Sequence, residues 1–210
     1  ISGYKVITGP RKLCYNHSIR NEKKKRKKGK KYDLHRHIPV TPGRRLLTAD
    51  EIGLRGCGLR GRSILPIRLT GEPRFPKENP VLAEAKKWLD LYFSGKETET
   101  LYRRFIQQAP PFRQAVWKLL LEIPYGQTTT YGEIAGRLAA MQNTSSMSAQ
   151  AVGGAVGHNE ISIIIPCHRV VGTNGSLTGY AGGIDRKIAL LKLEHTDMKG
   201  FFVPKKGTAL

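Results

Sequence analysis

Apolar residues recur at helical spacing through the second half of the chain. The clearest stripe follows Asn79-Pro80, a favourable N-cap and first helical residue, and runs to Phe93. The same spacing predicts four further helices, at 111–122, 131–138, 149–156 and 185–194. The second half of the chain is therefore expected to be mostly helical.

Two of these helices are short and are joined by the polar loop 141–147. Thr129 or Thr130 can cap the first, and Ser148 can cap the second. A short helix, a loop and a second helix form the outline of a helix-turn-helix. The Ala and Gly residues of 149–156 would let the second helix lie very close to another surface. That surface is either DNA or a neighbouring helix of the core, and composition alone favours the helix.

Strand-forming runs are fewer than helical ones. Residues 46–49 and 64–67 are short apolar runs with a turn at 50–53 between them, in a stretch broken by Gly, Pro and Arg. Ile161–Ile165 is a β-branched run that Pro166 ends, which predicts a buried strand. The expected fold class is α/β (α+β), with a strand-rich N-terminal region and linker at 32–78, a mostly helical region at 79–200 and a tail at 201–210.

Positive charge is concentrated at the start of the chain. The net charge is +20, and 19 of the 36 Lys/Arg but only 4 of the 16 Asp/Glu precede Glu72. Because like charges at the density of Lys23–Lys31 repel one another, residues 1–31 are expected to form a disordered basic extension. Such an extension is either a phosphate-binding arm with salt-dependent affinity for nucleic acid or a solvated tail.

The three cysteines, Cys14, Cys57 and Cys167, do not suggest a disulfide framework. No apolar run reaches 18 residues, and the first residues do not resemble a signal peptide. We therefore expect a cytoplasmic protein, nuclear if eukaryotic, with no membrane partner. The Cys and His residues between 14 and 37 lack a second pair of ligands, so no metal is expected. Nothing in the sequence demands more than a monomer.

Cys167 has the surroundings of a reactive cysteine. A thiolate is a strong nucleophile near neutral pH, and the adjacent His168 can remove the thiol proton. Glu194, at the end of the last predicted helix, is the best downstream carboxylate to orient that imidazole. The alternative is that Cys167 is a buried structural cysteine. The place of Cys167 between an apolar run and a glycine-rich loop favours a reactive residue. Cys–His–Glu fits either hydrolysis through an acyl-enzyme or transfer of an alkyl group that stays on sulfur.

Five motifs together resemble one family. They are IPYG at 123–126, TYGEIA at 130–135, AVGGA at 151–155, IPCHRVV at 165–171 and GYAGG at 179–183. In this order, across 79–200, they resemble the O6-alkylguanine-DNA alkyltransferases, also called methylated-DNA–protein-cysteine methyltransferases. Residues 41–61 more weakly resemble the strand-turn-strand of that family's ribonuclease-H-like N-terminal domain.

The resemblance implies direct-reversal DNA repair without a cofactor. An alkyl group would move from O6 of guanine, or from O4 of thymine, to Cys167 in a single turnover. Under this reading His168 deprotonates the thiol through a water, Glu194 orients His168, and Asn159 braces the active-site turn. Tyr131 would hydrogen-bond or protonate the purine.

The resemblance also implies how double-stranded DNA is bound. The target nucleotide must leave the duplex to reach the thiolate, and the second helix of the helix-turn-helix enters the minor groove. The residues expected to contact substrate or DNA are Gln150, Ala151, Gly153, Gly154, Arg169, Val170, Tyr180 and Ala181.

Some positions depart from the family pattern. Gln150 stands where well-studied members carry an Arg that fills the gap left by the flipped base, so flipping is expected to be less efficient. Glu160 stands where Pro is common. Residues 56–59 replace a more apolar strand, so the N-terminal region is expected to be degraded and to pack poorly. Two alternatives stay open: a non-enzymatic sensor of alkylated DNA, which Cys167 opposes, and an inactive copy.

Overall fold

A small sheet opens the part of the chain that the computed structural model describes, which is 32–39, 44–49, 53–59, 73–74, 79–98 and 109–205. Its strands are β1 (Tyr32–Pro39), β2 (Arg44–Ala49), β3 (Leu54–Leu59) and β4 (Pro73–Arg74), in the order β3-β2-β1-β4. β1 and β4 run parallel, and the other pairs are antiparallel. The predicted strand at 46–49 is confirmed within β2, and β3 lies within the strand-turn-strand that the resemblance placed at 41–61. The basic extension and the predicted strand at 64–67 lie outside the described residues.

All five predicted helices are confirmed. They are α1 (Pro80–Phe93), α2 (Pro111–Leu121), α3 (Tyr131–Met141), α4 (Ala149–Gly157) and α5 (Ile184–Leu193). The expected caps are in place: Asn79 accepts from the Leu82 amide at 3.0 Å, and Ser148 caps α4. Thr130 forms a reciprocal capping box with Glu133 at the start of α3. None of the helices described is long and apolar enough to cross a membrane.

A short parallel pair joins the start of α3 to the segment after Cys167. Its strands are β5 (Thr129–Thr130) and β6 (Val170–Val171). Because Tyr131 follows β5 directly, the pairing brings its ring to the same end of the molecule as Cys167.

The predicted strand at Ile161–Ile165 is wrong. The segment is buried but folds into a tight turn, in which the Ile165 amide donates to the Ile161 carbonyl at 3.0 Å. Ile163 has φ of +76°, a conformation that costs energy for a β-branched residue. Within the described part of the chain, the segment keeps only a single bridge to β3, between Ile161 and Cys57, and the Asn159 side chain bonds the backbone at both ends of the turn, so β propensity gave way here.

The sheet and the helices share one apolar core. Leu47, Leu54 and Cys57 are at most 1% exposed and belong to the same cluster as the apolar faces of α1 and α2. The expectation of poor packing is therefore not met where side chains of β2 and β3 are described. The backbone of Cys57 also bonds the segment that leads to Cys167, accepting from the Ser162 amide and donating to the Glu160 carbonyl. The sheet thus supports the turn that leads to Cys167.

Candidate active site

Cys167 begins a single 3-10 turn, Cys167–Arg169, directly after Pro166. The residue is only 5% exposed, and its Sγ accepts a hydrogen bond from Asn159 Nδ2 at 3.0 Å. Burial raises the pKa of the thiol, although the Asn159 bond and the charge of Lys187 act against that rise. The resting thiol therefore keeps its proton at neutral pH and needs a base to become a nucleophile.

His168 is placed to be that base. Its ring is fully buried, and Nε2 donates to Glu194 Oε1 at 2.6 Å. Burial lowers the pKa of His168, outweighing the opposite effect of the Glu194 carboxylate, so the ring is neutral at pH 7. Nδ1 is buried and has no hydrogen-bond partner within the described part of the chain. Its lone pair is the one left to accept a proton.

Glu194 is a buried carboxylate at the end of α5 that receives hydrogen bonds from several sides. Besides His168, its donors are the Tyr92 hydroxyl at 2.7 Å, Arg169 Nε at 2.8 Å, Arg169 Nη2 at 3.1 Å and the Gly126 amide at 3.3 Å. Burial alone raises the pKa of Glu194, but the bonds and charges of His168 and Arg169 outweigh it and lower the pKa to about 2. The carboxylate is ionised and fixed. We call Tyr92, His168, Arg169 and Glu194 the relay group.

Arg169 belongs to this relay group rather than to an exposed surface. Its third contact is a bond from Nη1 to the Ile123 carbonyl at 2.6 Å, and its side chain is 11% exposed. The expectation that Arg169 contacts DNA is thus not supported, because the donor nitrogens Nε, Nη1 and Nη2 are already engaged inside the protein.

Asn159 holds the turn between α4 and Cys167. Its Nδ2 donates to the Ile165 carbonyl at 2.7 Å, and its Oδ1 accepts from the Ile161 amide at 2.9 Å. The same Nδ2 reaches the thiol of Cys167. One buried amide therefore fixes both the turn and the sulfur.

Tyr131 lies near Cys167, and Tyr180 lies against His168. The Tyr131 hydroxyl donates to the Thr178 carbonyl at 3.4 Å, and burial with the nearby Cys167 raises its pKa to about 12. Gly179 has φ of +67°, and a Cβ there would lie 2.5 Å from that hydroxyl. Tyr180 is buried, with its ring edge-on to His168 at 6.4 Å between centroids. Tyr131 is thus a protonated donor held near the sulfur.

Lys187 is a residue of the candidate site that was not predicted from the sequence. It is fully buried in α5, and its Nζ donates to the Val170 carbonyl at 2.5 Å and the Thr178 carbonyl at 2.7 Å. Burial lowers its pKa to about 8, while the charge of Cys167 works to raise it. Lys187 therefore ties together two loops beside the thiol. Lys187 lies at helical spacing with Ile184, Ile188 and Leu191, on the apolar stripe of α5. A charged residue on an apolar stripe is the sequence pattern that could have indicated its role.

Tyr92 was also missed, because it was assigned only to the apolar stripe of α1. A buried tyrosine hydroxyl usually needs a partner, and that requirement was the only available signal. No sequence pattern indicates that this partner would be Glu194, 102 residues away.

The exposed side of α4 is made of small or polar residues. We call Gln150, Ala151 and Gly154 the outer face of α4; Gln150 and Ala151 are exposed, and Gly154 is half-buried. Gly153 lies elsewhere, since a Cβ there would be 3.9 Å from the Tyr131 ring. Val152, Ala155 and Val156 face the core, and Trp117 Nε1 bonds the Ala155 carbonyl at 2.9 Å. α4 therefore has both a tight core contact and an open face of small residues.

Of two further expected residues, Val170 begins β6 and Ala181 lies in the loop before α5. Val170 is buried and its carbonyl accepts from Lys187, whereas Ala181 is half-buried. Among the residues described there is no group of three or more His, Cys, Asp or Glu that could hold a metal ion.

Comparisons with known proteins identify a family to which this chain is similar. Residues 111–196 match the family model of the 6-O-methylguanine DNA methyltransferase DNA-binding domain. The chain is similar to a methylated-DNA–protein-cysteine methyltransferase of Methanosarcina mazei, with 50% identity over 158 residues, 73% of this chain and 92% of that protein. A relative of the same name from Mycobacterium bovis is 53% identical over 106 residues, 50% of this chain and 61% of that protein. The chain thus spans about three fifths of the length of that mycobacterial relative.

Solved structures give the same picture. The crystal structure of Mycobacterium tuberculosis OGT in complex with DNA is 39% identical, with a TM-score of 0.62, covering 78% of this chain and 92% of that one. The O6-methylguanine-DNA methyltransferase of Pyrococcus kodakaraensis, at 23% identity and a TM-score of 0.53, shares the fold.

Proposed function

Since the chain belongs to the family of O6-methylguanine-DNA methyltransferases, we propose that it repairs alkylated DNA by moving the alkyl group from O6 of guanine to Cys167. The observation that carries this proposal is the arrangement around the thiol. A buried, protonated cysteine lies beside a neutral histidine whose free Nδ1 can accept a proton, and an ionised carboxylate holds the other ring nitrogen.

The transfer begins with the thiol proton. It passes through a bridging water to Nδ1 of His168, and the imidazolium that forms is stabilised by Glu194. The sulfur then attacks the alkyl carbon, so that the S–C bond forms, the C–O6 bond breaks and the electron pair leaves with guanine. No step removes the alkyl group from sulfur, so each chain acts once.

The leaving guanine needs a proton or a strong hydrogen bond. Tyr131 supplies it, because its raised pKa keeps the hydroxyl protonated beside the site. The proton that His168 took returns through solvent to Tyr131, so the thiol proton ends on guanine. Lys187 favours the thiolate with its charge. The same chemistry would extend to O4-alkylthymine.

DNA would approach the outer face of α4. Helices α3 and α4 form a helix-turn-helix whose second helix enters the minor groove, since the small residues at 151 and 154 permit close approach of the backbone. The target nucleotide flips out of the duplex, and Gln150 fills part of the gap. Tyr180 and Ala181 would line the pocket for the flipped base.

The remaining assignments follow from the fold. The strand order and directions of β1–β4 support a ribonuclease-H-like N-terminal domain. Residues 79–200 would form the catalytic and DNA-binding domain. The protein would act as a monomer in a reducing compartment such as the cytoplasm, which fits the free thiols of Cys57 and Cys167.

The proposed function is tested with a duplex that carries O6-methylguanine labelled in the methyl group. We expect the label to move to the protein, with at most one methyl per chain, and unmodified guanine to remain in the DNA. Cys167→Ala should bind the duplex and take up no label. Binding without transfer by the wild-type protein would instead indicate a sensor, and transfer to Cys167→Ala would refute the acceptor assignment.

A further inference from the structure

Tyr92 joins the active site from outside the region that the family model matches. It lies on α1, whereas the matched residues are 111–196. Its hydroxyl donates to Glu194 Oε1 at 2.7 Å and lies 3.4 Å from His168 Nε2. Oε1 of Glu194 therefore accepts hydrogen bonds from both the Tyr92 hydroxyl and Nε2 of His168.

The Tyr92 ring is held on several sides. It stacks on Trp88 at 5.4 Å with an interplanar angle of 8°, and it meets Tyr125 edge-on at 6.2 Å. The residue is fully buried. Burial and the charge of Glu194 raise the pKa of the hydroxyl, so it stays protonated and acts toward the carboxylate as a donor only. The position and direction of this hydroxyl are thus fixed by packing.

We propose that Tyr92 is a positioning residue for alkyl transfer. Its hydroxyl fixes Oε1 of Glu194 and disperses part of the carboxylate charge, so that His168 stays neutral and its Nδ1 stays free for the Cys167 proton. This inference rests on the proposed function. It concerns the transfer of the proton from the Cys167 thiol to Nδ1 of His168.

The physical consequence has a definite direction. A carboxylate that loses a hydrogen-bond donor attracts a proton on its neighbour more strongly, which raises the pKa of the neighbouring imidazole. A protonated His168 has no lone pair on Nδ1 and cannot act as a base. Removal of the Tyr92 hydroxyl should therefore inactivate the relay group at a higher pH than in the wild-type protein.

The test compares Tyr92→Phe with the wild-type chain across pH. The rate of Cys167 alkylation by iodoacetamide is followed on the Cys167 peptide by mass spectrometry, and methyl transfer from an O6-methylguanine duplex is followed in parallel. In each profile the rate falls at low pH, and we call this part of the profile the acidic limb. We expect the acidic limb to move to higher pH by roughly half a unit, which lowers the rate on that limb about threefold. Thermal unfolding of each variant reports whether the fold is retained.

Tyr125→Phe is the matched control. Its hydroxyl is also in the aromatic cluster but donates to the Leu193 carbonyl at 3.1 Å rather than to Glu194. We expect its acidic limb to coincide with that of the wild-type protein. In a Glu194→Gln background, Tyr92→Phe should leave the limb unmoved, because the charge on which it acts is gone.

The inference is overturned if Tyr92→Phe gives the same limb as Tyr125→Phe, or if its shift persists in the Glu194→Gln background. A lower melting temperature with an unmoved limb would show that the hydroxyl serves stability alone. The iodoacetamide reaction needs no DNA, so failure of methyl transfer in the wild-type protein would refute the proposed function while the limb comparison still decides the role of Tyr92.

Discussion

The relay group and the outer face of α4 use side chains in opposite ways. In the relay group, one buried carboxylate accepts hydrogen bonds from Tyr92, His168, Arg169 and the Gly126 amide. On the outer face of α4, a Cβ added at Gly154 would meet no heavy atom within 4 Å among the described residues. The proposed chemistry depends on side chains that are held in place, whereas the proposed approach to DNA depends on the small size of the residues on α4. Substitutions should therefore have different consequences in the two regions.

The largest effect is expected from Glu194→Gln. The change leaves the partly buried Arg169 without its ion pair and leaves His168 without a carboxylate. We expect transfer to slow by at least about 100-fold and the free energy of unfolding to fall by roughly 3 kcal/mol. Single-turnover kinetics and urea unfolding measure the two quantities. Glu122→Gln, in the exposed pair with Arg137, is the control and should cost less than about 1 kcal/mol. Equal costs for the two variants would contradict the relay group's importance.

The pH dependence of the free energy of unfolding tests the same role of the ionised Glu194. Glu194 has a pKa of about 2 in the folded protein, below its ordinary value of about 4.3. A carboxylate whose pKa is lowered by folding adds to the free energy of unfolding. That contribution is complete above the pKa of the unfolded state and is lost as the pH falls through the pKa of the folded state. We expect wild-type unfolding free energy to fall by about 3 kcal/mol more than that of Glu194→Gln between about pH 5 and about pH 1. Parallel curves for the two proteins would mean that the carboxylate is not stabilised by folding.

A smaller effect is expected from Gly179→Ala, at the wall of the pocket. The new Cβ would lie 2.5 Å from the Tyr131 hydroxyl, and φ is +67°. We expect the free energy of unfolding to fall by about 2 kcal/mol and transfer to slow by about tenfold. Gly95→Ala has a similar φ of +77° with no neighbour within 4 Å among the described residues, so it isolates the backbone cost of about 1 kcal/mol. If both variants transfer at the wild-type rate, the contact with Tyr131 has no role.

The smallest change in stability, and one of opposite sign, is expected from Gly154→Ala on the outer face of α4. Replacing a helical glycine where space is open should raise the free energy of unfolding by about 0.5–1 kcal/mol. Duplex affinity should nevertheless fall, because in the proposed docking the added methyl would stand between α4 and the minor groove. Gly136→Ala in α3 has equally open surroundings and should stabilise without changing affinity. Unchanged DNA binding by Gly154→Ala would remove α4 from the interface.

Local patterns in the sequence were enough to predict the helices and their caps. Asn79, Thr130 and Ser148 act within their own helices, so neighbouring residues determine their contacts. The Ile161–Ile165 turn could not be predicted in the same way, because the Asn159 side chain overrides β propensity by bonding both ends of the turn.

The candidate site was partly predictable for a related reason. Cys167 and His168 are adjacent in the chain, and Glu194 was the best downstream carboxylate and matched the one expected from the family resemblance. The contacts of Tyr92 and Lys187 arise only when α1 and α5 pack against the loops around the thiol. Arg169 was assigned to DNA because it is charged and close to Cys167, whereas the fold turns it inward to Glu194.

The most direct measurement is mass spectrometry of the chain after reaction with an excess of duplex containing O6-methylguanine. We expect one methyl group per molecule, located on the Cys167 peptide, together with recovery of unmodified guanine in the DNA. A methyl group on Cys57 or another residue, more than one methyl per chain, or an unchanged protein beside repaired DNA would contradict single-turnover transfer to Cys167.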